Sequence, residues 1–253
     1  GLYGLKSELK YLKKLLPPYL RLKLRVLFTF VKDLLSFRYF SVVKKNAPRI
    51  SLPRQFSMSQ PIRKNDYPEN ELLLIKSKTA NIGKRDLTTY GWDNEFGHHE
   101  GEVQPFQASR YLVSNQEFLG FIKADGYNSE IFWEEEGLAW QKHTNTEHPT
   151  FWVKCGSQWR LRLMTEEVPM PWDWPVEVNC HEAKAFCNWK TATTNQPIRL
   201  PTEDEWYHLY NIAGLSEVPY NKQARANIHL DHYASSCPVT EFKHGEFFDI
   251  VGN

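Results

Sequence analysis

Cysteine is scarce in this chain: four residues in 253, at Cys155, Cys180, Cys187 and Cys237, with no Cys-x-x-Cys pair. That excludes a zinc ribbon, a thioredoxin-like motif and a disulfide framework. Cys180 and Cys187, seven apart on one helix face, would lie about 10 Å apart and beyond disulfide reach. Reduced thiols and a cytoplasmic location are the expectation. No apolar run reaches 18 residues, so no transmembrane helix is expected. Glycine-rich phosphate loops and Gly-x-Ser-x-Gly elbows are missing, which removes support for nucleotide transfer and serine hydrolysis. Methionine is nearly absent at three residues, whereas nine Trp, twelve Tyr and fifteen Phe are many for this length. Large rings fill irregular space between loops, which favours a loop-rich domain over a helical bundle.

The formal net charge of +1 hides two unlike parts. Residues 1–50 hold twelve Lys and Arg against two acids; the rest holds nineteen against twenty-eight. Residues 1–45 read as a basic helical segment, broken at Pro17-Pro18, with Leu9, Leu12, Leu15 and Leu16 as an apolar stripe. A surface-binding arm, helices packed on a neighbouring domain, and unrelated read-through sequence all fit that pattern. Residues 46–68, with Pro48, Pro53, Pro61 and Pro68, have linker composition. From residue 69 to 253 the texture is that of one globular domain. The absence of an initiator Met and the abrupt end at Asp249-Ile-Val-Gly-Asn253 lead us to expect a fragment, with the domain truncated at its C-terminal end.

Leu72–Ile75 reads as a short buried strand, and Val103–Phe106 and Tyr111–Val113 as two more. Asn81-Ile-Gly83 turns the chain. Three helices are announced by one device, a capping oxygen three residues before a Glu: Ser114 and Glu117, Asn179 and Glu182, Thr202 and Glu205. They are expected to run to about Lys123, Lys190 and Ile212. The second should turn Ala183, Phe186, Cys187 and Trp189 inward. Residues 127–178 and 215–253 show poor periodicity and read as long loops, a form that usually serves function.

Arg199-Leu-Pro-Thr-Glu-Asp-Glu-Trp206 resembles the RLPTE-x-EWE phrase of the formylglycine-generating-enzyme superfamily. Pro175-Val-Glu-Val-Asn179 with the following helix, and Tyr111-Leu-Val-Ser-Asn115, match two further phrases in the same order. Longer phrases are similar to the ovothiol-type 5-histidylcysteine sulfoxide synthases: Tyr90–Gly97, Ala108–Asn115, Met170-Pro-Trp-Asp-Trp-Pro-Val-Glu177 and His232–Pro238. The resemblance covers about residues 68–253. It implies an α+β, C-type-lectin-like fold with little regular structure. It also implies chemistry on Fe(II) and O₂ that joins cysteine to histidine through a C–S bond carrying a sulfoxide. In that family three histidines of an N-terminal helical domain hold the iron, in a His-x-x-x-His-x-Glu phrase plus an earlier His. This chain has no His before His98 and none in that phrase. No metal ligand and no catalytic residue is therefore carried over. Fe(II) is expected for the full-length family member and none for this chain alone.

The expected partners are cysteine, histidine and O₂, together with the iron-binding helical domain; neither nucleic acid nor membrane is expected. Trp172, Asp173 and Trp174, set among prolines, form a stiff aromatic loop that could wall a pocket for a small zwitterion or simply anchor the core. Glu205-x-x-His208 has di-iron spacing, but those sites need a second copy and two more Glu, so Glu205 reads as a cap. His229-x-x-His232 with Asp231 lacks a third ligand. His98-His99, beside Glu95 and Glu100, reads as a solvated loop, and Glu134–Glu136 as a helix start or solvated face. The rival functions are an ergothioneine-type synthase and a non-catalytic lectin-like binding module.

Overall fold

A computed structural model describes residues 67–85, 88, 91–164, 166–215, 225–228 and 232–253. The basic segment 1–45 and all but the last two residues of the 46–68 linker lie outside the described residues. The order is β1 (Leu72–Ile75), β2 (Lys78–Ile82), β3 (His99–Val103), β4 (Phe106–Ser109), α1 (Asn115–Lys123), α2 (Glu135–Thr144), then β5 (Trp152–Cys155), β6 (Gln158–Arg162) and β7 (Glu167–Pro169). These are followed by α3 (Cys180–Thr194), α4 (Glu203–Ile212), β8 (Lys243–His244) and β9 (Phe247–Phe248). The strands make small antiparallel sheets, β1–β4, β2–β3, β5–β6–β7 and β8–β9. Separate short sheets and helices of this kind are an α+β architecture, as expected.

The three capped helices begin where their caps place them. The side chains of Ser114, Asn179 and Thr202 accept from the amides of Glu117, Glu182 and Glu205. At Asn179 and Thr202 the Glu also returns to the cap's own amide, completing the box. Helix α3 runs on to Thr194, four residues beyond expectation, and stops at Asn195, which takes left-handed φ of 54°. Its fully buried residues are Glu182, Ala185, Phe186 and Cys187, while Ala183 and Trp189 are only half-buried.

Two other expectations fail. Tyr111–Val113 is not a strand: its backbone leads into the α1 cap, and Val113 O accepts from Val176 N at 2.9 Å. Val103 and Phe106 belong to different strands, because Pro105 breaks the run between β3 and β4. The 127–178 stretch also holds more order than its periodicity suggests, namely α2 and the β5–β7 sheet. Helix α2 fully buries only Gly137, seated against His181 and Trp133, while Leu138 and Trp140 pack half-buried on the Phe121 cluster. Its packed residues, Gly137, Leu138 and Trp140, fall within one turn and are too few to repeat as an apolar stripe.

Helix α1 lies between two cores. One side joins Phe118 and Phe121 to Tyr127, Trp133, Ala185 and Phe186. The other joins Leu119 to Trp152, Leu161, Met170 and Trp174. Each ring fully removed from water here contributes roughly 1.5–3 kcal/mol. Smaller clusters sit under α4, with Ile75, Leu209 and Phe247 in one and Ala80, Ile82 and Val103 in the other. Gly83 ends β2 at φ +82°, and a Cβ there would lie 1.9 Å from the Gly97 carbonyl oxygen, so only glycine fits the crossing.

Candidate functional site

The Trp172–Trp174 loop follows β7 and is fixed by α1. A helix leaves its first amides without intrahelical partners. Here Asn115 N donates to Trp174 O at 2.8 Å and Gln116 N to Trp172 O at 2.9 Å, while Ser114 takes the next amide. The loop therefore completes the N-terminus of α1 with its own carbonyls. Asn115, 1% exposed, ties the assembly from inside: Nδ2 donates to Pro171 O at 2.9 Å and Oδ1 accepts from Trp152 Nε1 at 3.2 Å.

The three candidate residues are not equivalent. Trp174 and Asp173 are each 1% exposed, and Trp174 packs in the core with Leu119 and Trp152. Trp172 is half-buried and stands edge-on to Trp152, ring centroids 5.6 Å apart. Trp159 meets the same Trp152 ring edge-on at 5.4 Å, and His148 meets Trp159 at 5.1 Å. The loop's accessible contribution is thus an indole edge continuous with an aromatic row. Its other two side chains lie beneath.

Sequence reasoning missed a buried polar knot beside this loop. Asp173 O accepts from Val239 N at 2.9 Å. Two residues before Val239, Cys237 has its backbone clasped by Asn253: Cys237 N donates to Oδ1 at 2.7 Å and Nδ2 donates to Cys237 O at 3.0 Å. Asn253 Nδ2 also reaches Asp249 Oδ2 at 3.2 Å, and Asn227 O accepts from Asn253 N at 3.1 Å. Burial, followed by the carboxylates of Asp249, Glu241 and Asp173, pushes the Cys237 thiol far up, so it stays protonated. Burial pushes the Asp249 carboxyl to about 7 against the help of Asn253. Tyr67 is raised by burial and then by Asp173. The only local sequence signal was the Cys237-Pro238 phrase, because the knot joins residues from distant positions.

The remaining constellations behave structurally or fall outside view. Glu205 closes its capping box and takes a forked Arg199 pair at 2.6 and 2.8 Å, which holds its carboxyl below the ordinary range. His208 is a buried neighbour that anchors Lys76 O at 3.0 Å. His229 and Asp231 lie outside the described residues, and the His232 ring packs edge-on against Phe242. His98 and His99 are exposed, as expected, though His99 opens β3. Glu134 precedes α2, so the acidic run is a helix start. Among the described residues no three His, Cys, Asp or Glu side chains are placed to hold a metal ion. These residues therefore do not fit a resident iron. None of the described helices is long and apolar enough to cross a membrane.

An α+β domain of short sheets around capped helices, with a proline-stiffened aromatic loop, defines a class with little regular structure. The chain belongs to the family described as the sulfatase-modifying factor enzyme 1-like domain, whose model matches residues 58–253. It is 35% identical over 118 residues to the hercynine oxygenase of Mycolicibacterium thermoresistibile, covering 46% of this chain and 24% of that protein. To the hercynine oxygenase of Mycobacterium tuberculosis it is 36% identical over 116 residues, covering 45% and 25%. To the formylglycine-generating enzyme of Thermomonospora curvata it is 26% identical over 235 residues, covering 78% and 74%. The matched region spans about a quarter of the length of the hercynine oxygenases.

Proposed function

We propose that residues 69–253 are the substrate-facing scaffold of an iron(II)- and O₂-dependent sulfoxide synthase of the ovothiol type. The scaffold is a C-type-lectin-like body that helps join cysteine to histidine. Histidines of a helical domain elsewhere in the protein hold the iron in this reading. The synthase reading is supported by the 35% identity over 118 residues to a protein named hercynine oxygenase, and its ovothiol form by the Met170–Glu177 and His232–Pro238 phrases. The role of this chain is to bind and orient. Trp172 supplies an aromatic edge for an imidazole, and Asp173 and Trp174 fix the loop from below. Holding two reactants in a fixed geometry removes much of the entropic barrier to their reaction. Because those relatives are named for hercynine, an ergothioneine-type synthase is the second reading.

The test mixes the chain with Fe(II) and a histidine-bearing helical domain supplied in trans. Cysteine is then added with either histidine or hercynine, and O₂ uptake and product mass are followed. A cysteine–histidine sulfoxide whose formation falls up to about tenfold in Trp172→Ala supports the proposal, given the worth of one aromatic contact. Product from hercynine alone selects the ergothioneine-type reading. No product from either, with the fold intact by circular dichroism, overturns the synthase reading in favour of a non-catalytic binding module.

A further inference from the structure

In the core between α1 and α3 lies a phenol with a base already in place. Tyr127, 4% exposed, donates from Oη to Glu182 Oε1 at 2.6 Å, the length of a charge-assisted O–H···O⁻ bond. Glu182, 1% exposed, accepts at its other oxygen from Asn179 N at 2.9 Å. Both oxygens are thus acceptors, as suits a carboxylate at the start of α3. No Lys or Arg forms an ion pair with it among the described residues.

Burial, and then the charge and hydrogen bond of Glu182, push the Tyr127 phenol far up, so it does not ionise by itself. Burial raises the Glu182 carboxyl as well, against the hydrogen bonds of Tyr127 and Asn179 and the pull of His148 and His181. That makes it a stronger base for a proton brought to it. A phenol that loses one electron becomes a strong acid, and its proton then moves along the existing bond. The buried pair thereby passes from one negative charge to none, a change that a water-poor core favours.

Aromatic rings lead from this pair to the surface. The Tyr127 and Trp133 ring centroids are 5.7 Å apart, and those of Trp133 and Trp140 are 6.2 Å apart. Trp140 is half-buried on α2 and stacks on the His181 ring at 6.1 Å. Indole and phenol are among the side chains that give up one electron most readily, and electrons pass easily between rings in near contact. Trp133 Nε1 donates to Gly126 O at 2.9 Å, and a carbonyl is too weak a base to take its proton. An electron vacancy on Trp133 therefore moves on to Tyr127.

We propose that Tyr127 and Glu182 form a proton-coupled redox site, which takes up one oxidising equivalent from a one-electron oxidant at Trp140. The oxidant removes an electron from Trp140, Trp133 refills Trp140, and Tyr127 refills Trp133. The Tyr127 O–H bond breaks, the proton bonds to Glu182 Oε1, and a neutral tyrosyl radical remains. A thiolate arriving at Trp140 returns one electron through the same rings, and the proton goes back to the phenol oxygen. The thiolate becomes a thiyl radical, and two of these pair as a disulfide. None of these steps uses iron or a substrate of the proposed synthase.

The test flashes tris(bipyridine)ruthenium with a sacrificial electron acceptor in a solution of the full chain. Radicals are followed by time-resolved absorption and by electron paramagnetic resonance of frozen samples. An indole radical is expected first, giving way to a tyrosyl radical at a rate independent of protein concentration. Glu182→Gln should slow tyrosyl formation about a hundredfold or more, the usual worth of a placed base. Tyr127→Phe, which keeps the ring, should leave the indole radical standing, and it carries the test alone if the other variant fails to fold. Absence of a tyrosyl radical in the unaltered chain, an equal tyrosyl signal in Tyr127→Phe, or an unchanged rate in folded Glu182→Gln would overturn the assignment.

Discussion

Replacing Asp249 by Asn should stabilise this protein near pH 8 and remove part of its pH dependence. Asp249 is 2% exposed; Oδ2 accepts from Asn253 Nδ2 at 3.2 Å and Oδ1 has no partner among the described residues. Burial, with Glu241 adding to it, raises the carboxyl to about 7 from an ordinary 3.8. The folded state therefore holds a proton that the unfolded chain releases near pH 4. Its contribution is fully present below that pH, declines as pH rises toward 7, and is flat above. Each pH unit inside the window is worth about 1.4 kcal/mol, so the loss between pH 5 and 8 is about 3 kcal/mol. Asn is neutral throughout and tolerates the φ of 47° at this position. Its amide leaves one donor to satisfy, at roughly 1–3 kcal/mol, so the variant should gain least at pH 5 and most at pH 8. Urea unfolding followed by Trp fluorescence at both pH values measures the difference. A stability gap between the two proteins that stays constant from pH 5 to 8 would refute the account.

Two further outcomes follow from packing. Asn115→Ala leaves Trp152 Nε1 unpaired in the core and takes from Pro171 O the nearer of its two donors, the other being Trp174 N at 3.2 Å. It should cost about 2–4 kcal/mol in urea unfolding and loosen Trp172, seen as a red shift in tryptophan emission. Gly83→Ala forces a Cβ onto the Gly97 carbonyl at positive φ, and a loss of at least about 2 kcal/mol, or failure to fold, is the expected result.

What could be read from the sequence was what is local. Ser114, Asn179 and Thr202 set their helix starts through groups three residues away, and all three starts lie where the caps put them. Even there one half-motif failed: Glu117 turns from its own cap to Lys190 at 2.9 Å and Asn70 at 3.1 Å. The β5–β7 sheet was hidden because its strands are three to five residues long, too short to show alternation. The site was legible only as a stiff aromatic loop. That Trp172 alone keeps an open edge depends on α1 and β5, fifty-six and twenty residues away in the chain. The Asn253 clasp and the His208 link to Lys76, across 132 residues, have no local signature.

The strip around Trp172 is a fixed frame and not a hinged flap. Its carbonyls finish the opening turn of α1, so swinging it outward would fray that helix. Under the proposed function, a change of reactant would come from exchanging Trp172, with the backbone held still. Conversely, any substitution that softens the start of α1 would be felt first as a wandering Trp172 indole.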